Sequence, residues 1–357
     1  MEEELEAEEL SREREPPTPD VEEEEEAVAT PLVPSTSGKQ ETGGFVFGAA
    51  TRLGGRTLTE GRDPWTHNAW DNVEWGEDQE IVAREAIQAQ KLVPVSPDEQ
   101  ERLNATPERF WDKFYANVAD TFFKDRSWLC MEFQPLSDSV QPAASLRGET
   151  TGSIPELIVN KNPSLFLHCL DYSQRAVQLV KKNPAYNTEH MLAETWSLCD
   201  PSGLSPGVEP ESVDVVVLIF VLSALHPNEW QQAMHNIWTM LKPGGKVCFR
   251  DYGRNDLTQL RFKSSRYMEP NLYARGDKTR VYFFDKEELV DIMTAPVTGQ
   301  PEHSLKTVQV GVDRRLLMNR KRQLKMYRVW MQGVFQKPEQ AVTAGKDQPR
   351  QSRVMQQ

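Results

Sequence analysis

Residues 213–221 read VDVVVLIFV, and no other stretch restricts the folds open to this chain as much. A strand with one face in water alternates apolar and polar side chains. A strand apolar on both faces fits only the middle of a parallel sheet with helices covering each side. Extended to Leu225 the run is still too short for a membrane helix, and it carries Asp214 and Ser223. The chain must therefore supply parallel strands beside this one and helices above and below it.

The spacing of apolar residues supplies them. From residue 164 onward strand and helix periods alternate, the βαβ signature of an α/β sheet. Residues 165–170 predict a buried strand. Residues 173–182 predict a helix capped by Ser173 and stopped at Asn183-Pro184, and residues 191–198 a weaker strand. After the apolar run, residues 228–241 form an amphipathic pattern ending in LKPGG, where Gly244 and Gly245 supply the turn into a strand over 246–250. A helix over 285–293 and an antiparallel pair, 309–313 with 323–334, close the series. Upstream, 77–91 and 107–119 have helical composition, the second with Pro107 at its first turn, while DPWTHNAWDNVEW predicts a packed irregular arm.

Charge is distributed unevenly. Residues 1–30 hold fourteen Asp or Glu against Arg12 and Arg14, so nearly all of the chain's net −13 lies there. Such a segment has too little apolar surface to offset ordering entropy and predicts a disordered tail. Residues 250–330 carry seventeen Lys or Arg against ten acids, an excess that reads either as a solvated face or as a surface for nucleic acid. Cys130, Cys169, Cys199 and Cys248 are widely spaced, without a CxxC pair, which argues for reduced buried thiols rather than a metal site. The acidic N-terminus is the opposite of a mitochondrial presequence, so a cytoplasmic location is expected.

VVVLIFVLSALHPNEWQQAMHNIWTMLKPGGKVCFRDYG resembles the class I S-adenosylmethionine-dependent methyltransferases, in which a central strand, a helix and an LKPGG turn recur in this order. A narrower resemblance is carried by HNAWDNVEW, FWDKFY, FFKDRSWL, LIFVLSA, RDYGRNDLTQLRF, YARGDKTRVYFF and DRRLLMNRKRQLKMYRVW. Together these blocks are similar to the tRNA N3-methylcytidine methyltransferases, over about residues 65–334, and HNAWDNVEW is similar to the branch acting on threonine tRNA. The resemblance implies a Rossmann-like class I fold: a mostly parallel, doubly wound sheet with an antiparallel C-terminal hairpin and an N-terminal helical and aromatic extension. It also implies an organisation into a tail and linker (1–62), an extension acting as cofactor lid and tRNA binder (63–136), the methyltransferase domain (137–336) and a second tail (337–357).

Site expectations combine residues and resemblance. Asp171, at the end of a strand, is placed to accept hydrogen bonds from ribose hydroxyls or to cap the next helix. Trp111 and Tyr115, four apart, share a helical face that packs in a core or, as the resemblance implies, closes over the cofactor. Gly148, Gly152, Ser197 and Ile219 complete the implied cofactor contacts. Arg126, Asp251, Tyr252 and Arg254 are candidates for positioning the target base, with no catalytic residue assigned. Lys124, Arg126, Arg261, Arg275, Arg320, Lys321 and Arg322 are the implied RNA contacts. The cofactor is S-adenosyl-L-methionine and the partner a tRNA anticodon stem-loop, with room for an accessory protein or an aminoacyl-tRNA synthetase; neither metal nor membrane is expected.

Two departures from the family pattern stand out. Where the family has an apolar strand ending in E-x-G-C-G-x-G-N, this chain reads SLRGETTG, so the first strand and glycine loop are degenerate, with Thr150 between Gly148 and Gly152. A β-branched side chain there occupies space the backbone needs to approach the methionine moiety. At the position of the family's adenine-binding Asp stands Ser197, with Asp200 three residues on. The expected function is methyl transfer to N3 of cytosine 32, in threonine tRNA. The alternative is a catalytically impaired member or partner subunit that binds tRNA without methylating it.

Overall fold

The computed structural model describes residues 56–118, 133, 136, 145–148, 165–297 and 303–339. In chain order its elements are β1 (Ala69–Asp71), α1 (Glu77–Lys91), α2 (Pro97–Ala105), α3 (Pro107–Val118), β2 (Ser145–Gly148), β3 (Phe166–Asp171), α4 (Gln174–Lys182), β4 (Met191–Thr195) and β5 (Val213–Ile219). There follow α5 (Trp230–Met240), β6 (Leu241–Tyr252), α6 (Leu257–Leu260), β7 (Tyr267–Glu269), β8 (Leu272–Ala274), β9 (Arg280–Tyr282), α7 (Lys286–Thr294), β10 (Lys306–Asn319) and β11 (Leu324–Gln336).

Eight strands form the main sheet in the order β1-β10-β11-β6-β5-β2-β3-β4. β4, β3, β2, β5 and β6 are parallel, and β11, β10 and β1 add antiparallel pairs. The opening apolar run is β5, deep in the sheet and parallel to β2 and β6, as its two apolar faces require. On one side Val216 and Leu218 pack with Ala233, Met234 and Ile237 of α5 and Leu289 and Met293 of α7. On the other, Val215 and Val217 pack with Val177 and Val180 of α4. Asp214, the one acid in the run, pairs with Lys242 Nζ at 2.8 Å, part-buried at the strand's amino end.

The turn that feeds β6 depends on its two glycines for different reasons. Gly244 has φ +80°, which L residues seldom adopt. A Cβ on Gly245 would lie 2.8 Å from the Lys242 carbonyl oxygen and 3.1 Å from that of Val213.

The structure adds three elements to this reading. The degenerate first strand still forms: β2 lies between β3 and β5, with Gly148 opposite Cys169 and Val217. Its sequence, SLRG, has little strand character, but two flanking parallel strands offer it a ladder on each edge, and context overrides propensity. The aromatic arm also contributes a strand, since β1 pairs with β10 from Ala69↔Leu317 to Asp71↔Arg315. Finally, residues 267–282 form the separate antiparallel sheet β7-β8-β9. Thr150, Gly152, Cys130, Lys124 and Arg126 lie outside the described residues.

Candidate active site

The sheet order reverses at β2, which has β3 on one side and β5 on the other, with successive strands leading away in both directions. In open α/β sheets ligands bind beyond the carboxyl ends of the strands at such a switch point. The residues at that edge are Gly148, Asp171, Thr195 and Ile219, with Asp251 and Tyr252 at the end of β6.

Asp171 is 6% exposed. Burial pushes its carboxyl up to about 7, opposed by the Ser173 backbone N–H, reinforced by the nearby Asp112 carboxylate and opposed again by a hydrogen bond from Tyr115. The Ser173 N–H donates to Oδ1 at 2.7 Å. Asp171 therefore braces the start of α4, as one of its two sequence readings expects, and as a carboxylate it has acceptor capacity beyond these two hydrogen bonds.

Tyr115 reaches Asp171 because α3 crosses this edge. Trp111 and Tyr115 pack with Ala176 of α4 and Ala224, just after β5, so the helix bridges the ends of β3 and β5. Asp112, between them in FWDKFY, ties α3 down: its Oδ1 accepts from Ser173 Oγ at 2.6 Å and from the Arg175 N–H at 3.1 Å. Sequence reasoning missed this residue. Its signal was the heptad-independent placement of one acid inside an aromatic helix, which only the docked α4 terminus explains. Trp111 Nε1 is buried without an acceptor among the described residues. A buried indole donor without a partner is costly and suits a site that receives a polar ligand.

The second half of the site surrounds Asp251, which has no exposed surface. Burial pushes its carboxyl up to about 6, against hydrogen bonds from the Ser223 hydroxyl and N–H and the Tyr252 N–H. The two N–H bonds measure 2.9 and 2.8 Å. Asp251 thereby fixes the short turn Leu222–Ala224 against which α3 packs. Beside it Phe220 has φ +59°, held by its N–H on the Arg250 carbonyl at 2.9 Å and by its ring 4.8 Å from that of Tyr252. A bulky residue in this region costs about 1–3 kcal/mol and persists where the surroundings over-determine it. The strand sequence gives no hint of this left-handed residue, because backbone angle is not encoded in hydropathy.

The other expected residues divide. Arg275 joins the site, its guanidinium 5.4 Å from the Tyr252 ring centroid. Arg254 pairs with Asp285 at 2.8 Å, at the start of α7. Ile219 packs in the core with Cys169, Val217 and Cys248. Ser197 Oγ lies 3.1 Å from Cys199 Sγ, and Asp200 turns its carboxylate to the Ser202 N–H and hydroxyl at 2.8 and 2.7 Å. Arg261 contacts Met326 Sδ at 3.3 Å, and Arg320, Lys321 and Arg322 are exposed on the β10–β11 connection. A cavity of about 490 Å³ beside α5, lined by Asn228, Gln232, His235 and neighbours, contains none of these residues. Among the described residues no group of three or more His, Cys, Asp or Glu could hold a metal, and no helix is long and apolar enough to cross a membrane.

A doubly wound sheet, a switch point and a buried acid at the end of β3 fit the class I methyltransferase fold, and a family model described as a methyltransferase domain matches residues 148–247. The chain is 42% identical over 314 residues to the tRNA N(3)-methylcytidine methyltransferase of Schizosaccharomyces pombe, covering 85% of this chain and 99% of that one. It is 38% identical over 342 residues to a tRNA N(3)-cytidine methyltransferase of Danio rerio, covering 85% and 94%. Identity reaches 49% over 295 residues with the tRNA(Thr) (cytosine(32)-N(3))-methyltransferase of Saccharomyces cerevisiae; that match covers 80% of this chain and 46% of the relative, so this chain spans less than half of that length. The chain belongs to the tRNA N(3)-cytidine methyltransferase family.

Proposed function

We propose that this chain methylates N3 of cytosine 32 in the anticodon loop of threonine tRNA, in the cytoplasm. The observation that carries the reading is the junction of Asp171, Tyr115 and Trp111 at the carboxyl edge of the sheet, in a chain whose relatives bear that activity by name. These residues fit S-adenosylmethionine: Asp171 has acceptor capacity for the ribose hydroxyls, and Trp111 Nε1 is a buried donor with no acceptor among the described residues.

When bound, the cofactor would supply an electrophilic sulfonium methyl, for which the lone pair on N3 of neutral cytosine is the acceptor. No proton need be removed, so the chain's work is alignment and exclusion of water rather than acid–base catalysis. α3, tethered by Asp112, closes the edge from above. Asp251 holds the Leu222–Ala224 turn, and Phe220, Tyr252 and Arg275 line the side on which a flipped base can enter and stack. Lys124 and Arg126 are further candidates for the RNA. An accessory protein or synthetase partner is compatible with the exposed surface.

The test is incubation of the full chain with S-adenosylmethionine and threonine tRNA transcripts, followed by nucleoside mass spectrometry. 3-Methylcytidine should appear in the parent transcript and be absent from one carrying uridine at position 32. A chain that binds the transcript tightly and yields no 3-methylcytidine would favour the partner-subunit alternative.

A further inference from the structure

The end of β11 is fastened more firmly than a tail-like composition from Lys337 onward implies. Lys337 is 5% exposed, and its Nζ donates to the Leu241 and Trp238 carbonyls at 2.8 and 3.0 Å and to Glu211 Oε1 at 3.0 Å. The ammonium also lies 4.7 Å from the centroid of the Trp238 ring. Its backbone pairs with the glycine turn that feeds β6: the Lys337 N–H donates to the Gly245 carbonyl and the Gly244 N–H to the Lys337 carbonyl, both at 2.9 Å. Glu339, the last described residue, stands beside Gly244, where an added Cβ would lie 3.4 Å from its Cγ. These contacts fix where residue 340 starts, near the carboxyl end of α5.

The cavity beside α5 reaches the same place. Thr239 is in its lining, and the Thr239 carbonyl accepts at 2.9 Å from the N–H of Glu211, the residue whose carboxylate holds Lys337. From Thr239 the lining follows α5 back through Asn236 and Gln232 to Asn228, a length of about 16 Å at 1.5 Å per residue. Among the described residues that line this groove none is Asp, Glu, Lys or Arg. Asn228, Gln231 and His235 are exposed, and their side chains make no hydrogen bond within the described residues. The floor, by contrast, is fully tied. Asn236, 1% exposed, donates from Nδ2 to the Leu198 and Asp200 carbonyls at 2.8 and 2.9 Å, and Gln232 Nε2 donates to Asn236 Oδ1 at 3.1 Å. The groove therefore lies on the seam between α5 and the 196–204 loop that leaves β4.

A groove without cations offers nothing to nucleic acid phosphates or to the acidic N-terminal segment. It suits an extended, uncharged peptide, because side-chain amides and an imidazole supply donors and acceptors for main-chain groups that leave water. After Glu339 the sequence reads QAVTAG, residues 340–345, uncharged up to Lys346 and free of proline. Six extended residues span about 20 Å, enough to follow the groove from Thr239 to Asn228. We propose that residues 340–345 dock in this groove along α5 and strap the helix to the 196–204 loop. Ser197 is on that loop, beyond the carboxyl end of β4, so the strap steadies one rim of the cofactor edge. That consequence, unlike the docking, rests on the functional reading above.

Two measurements test the docking. In the full chain with Gln231 replaced by the photo-crosslinker p-benzoylphenylalanine, irradiation should join position 231 to residues 340–345, mapped by mass spectrometry, with a yield independent of protein concentration. Adducts confined to other segments overturn the docking. Adducts between a heavy-isotope copy and a light one assign the groove to a second molecule and overturn it as well. The second measurement compares amide exchange in the full chain and in a variant lacking residues 340–357, which keeps every described residue. With matching circular dichroism, residues 200–204 should exchange about tenfold faster in the shortened chain, the mark of a local opening, while β5 keeps its protection. An added peptide of residues 338–347 should restore slow exchange, and a scrambled peptide should not. Equal exchange in the two chains overturns the strap. Affinity for S-adenosylmethionine, by titration calorimetry, should fall about threefold in the shortened chain, because binding must then order the loop itself. Unchanged affinity with lost protection overturns the cofactor consequence and leaves the docking standing.

Discussion

At the scale of single residues, Asp171 makes the most direct prediction. The usual carboxyl value is 3.8 and burial lifts this one to about 7. The folded chain therefore keeps a proton that the unfolded chain releases between those values, so this group's contribution to stability declines as pH rises through that window. Function should run the other way, because ribose hydroxyls are held best by the ionised carboxylate. Affinity for S-adenosylmethionine, measured by titration calorimetry, should rise as pH passes through about 7. Asp171→Asn should flatten that dependence and, since hydrogen bonds to a charged acceptor contribute about 1.5–3 kcal/mol, weaken binding by roughly ten- to a hundredfold. If the Asn variant keeps the parent's pH profile, another group governs it. Phe220, Asp112 and Trp111 show the limit of reading residues one at a time, because each acquires its meaning from a partner distant in the chain.

At the scale of elements, α3 and β2 carry the predictions. α3 is anchored over the site by Asp112 on the start of α4. Asp112→Ala removes a capping acceptor, a change that costs about 0.5–2 kcal/mol. The helix should loosen: amide exchange should quicken in α3 and in the first turn of α4, and cofactor affinity should drop, while β5 and β6 keep their protection. Equal loss of protection in β5 would mean that Asp112 supports the whole fold rather than α3 alone. β2 narrows the question of the degenerate loop. Since a strand already ends at Gly148 in register with β3 and β5, the deficit falls on the residues that follow it. Replacing residues 149–152 with the family's glycine-rich sequence should raise affinity for S-adenosylmethionine by roughly two to three orders of magnitude, at about 1.4 kcal/mol per tenfold. No gain in that exchange would show that Gly148 and the existing loop already suffice. The Lys242–Gly245 turn is likewise an element rather than a pair of residues, and Gly244→Ala, forced to φ +80°, should lower the melting temperature.

For the whole molecule, charge is the governing quantity. Deleting residues 1–30 removes twelve of the thirteen net negative charges, leaving about −1. At low salt tRNA affinity should hold or rise, with the difference vanishing as salt screens the tail from phosphate. A deletion that abolishes binding would show the tail to be a contact rather than a repulsive appendage. Arg275 lies beside Tyr252 at the end of β6, and the hairpin tip projects well beyond it.

By itself the sequence determined that β5 is buried on both faces, that α4 begins at Ser173 and stops at Asn183, and that the chain belongs among cytidine-N3 methyltransferases. These are local or cumulative properties: period two against period 3.6, a capping hydroxyl, a proline stop, and long blocks of shared side chains. Tertiary structure decided the rest. SLRG became a strand because two neighbours offered it hydrogen bonds, and HNAWDNVEW gave a strand because β10 overhangs the sheet and needs an edge partner. Residues 267–282 made a second sheet over the ends of β5 and β6, which no periodicity announced. Asp171 met Tyr115 because α3 is held across the edge by an acid sixty-one residues from the serine it binds. Local pattern sets how each segment can bury its own apolar face. Which segments meet depends on contacts between residues far apart in the chain, and a reading along the chain cannot weigh those until the elements are assembled.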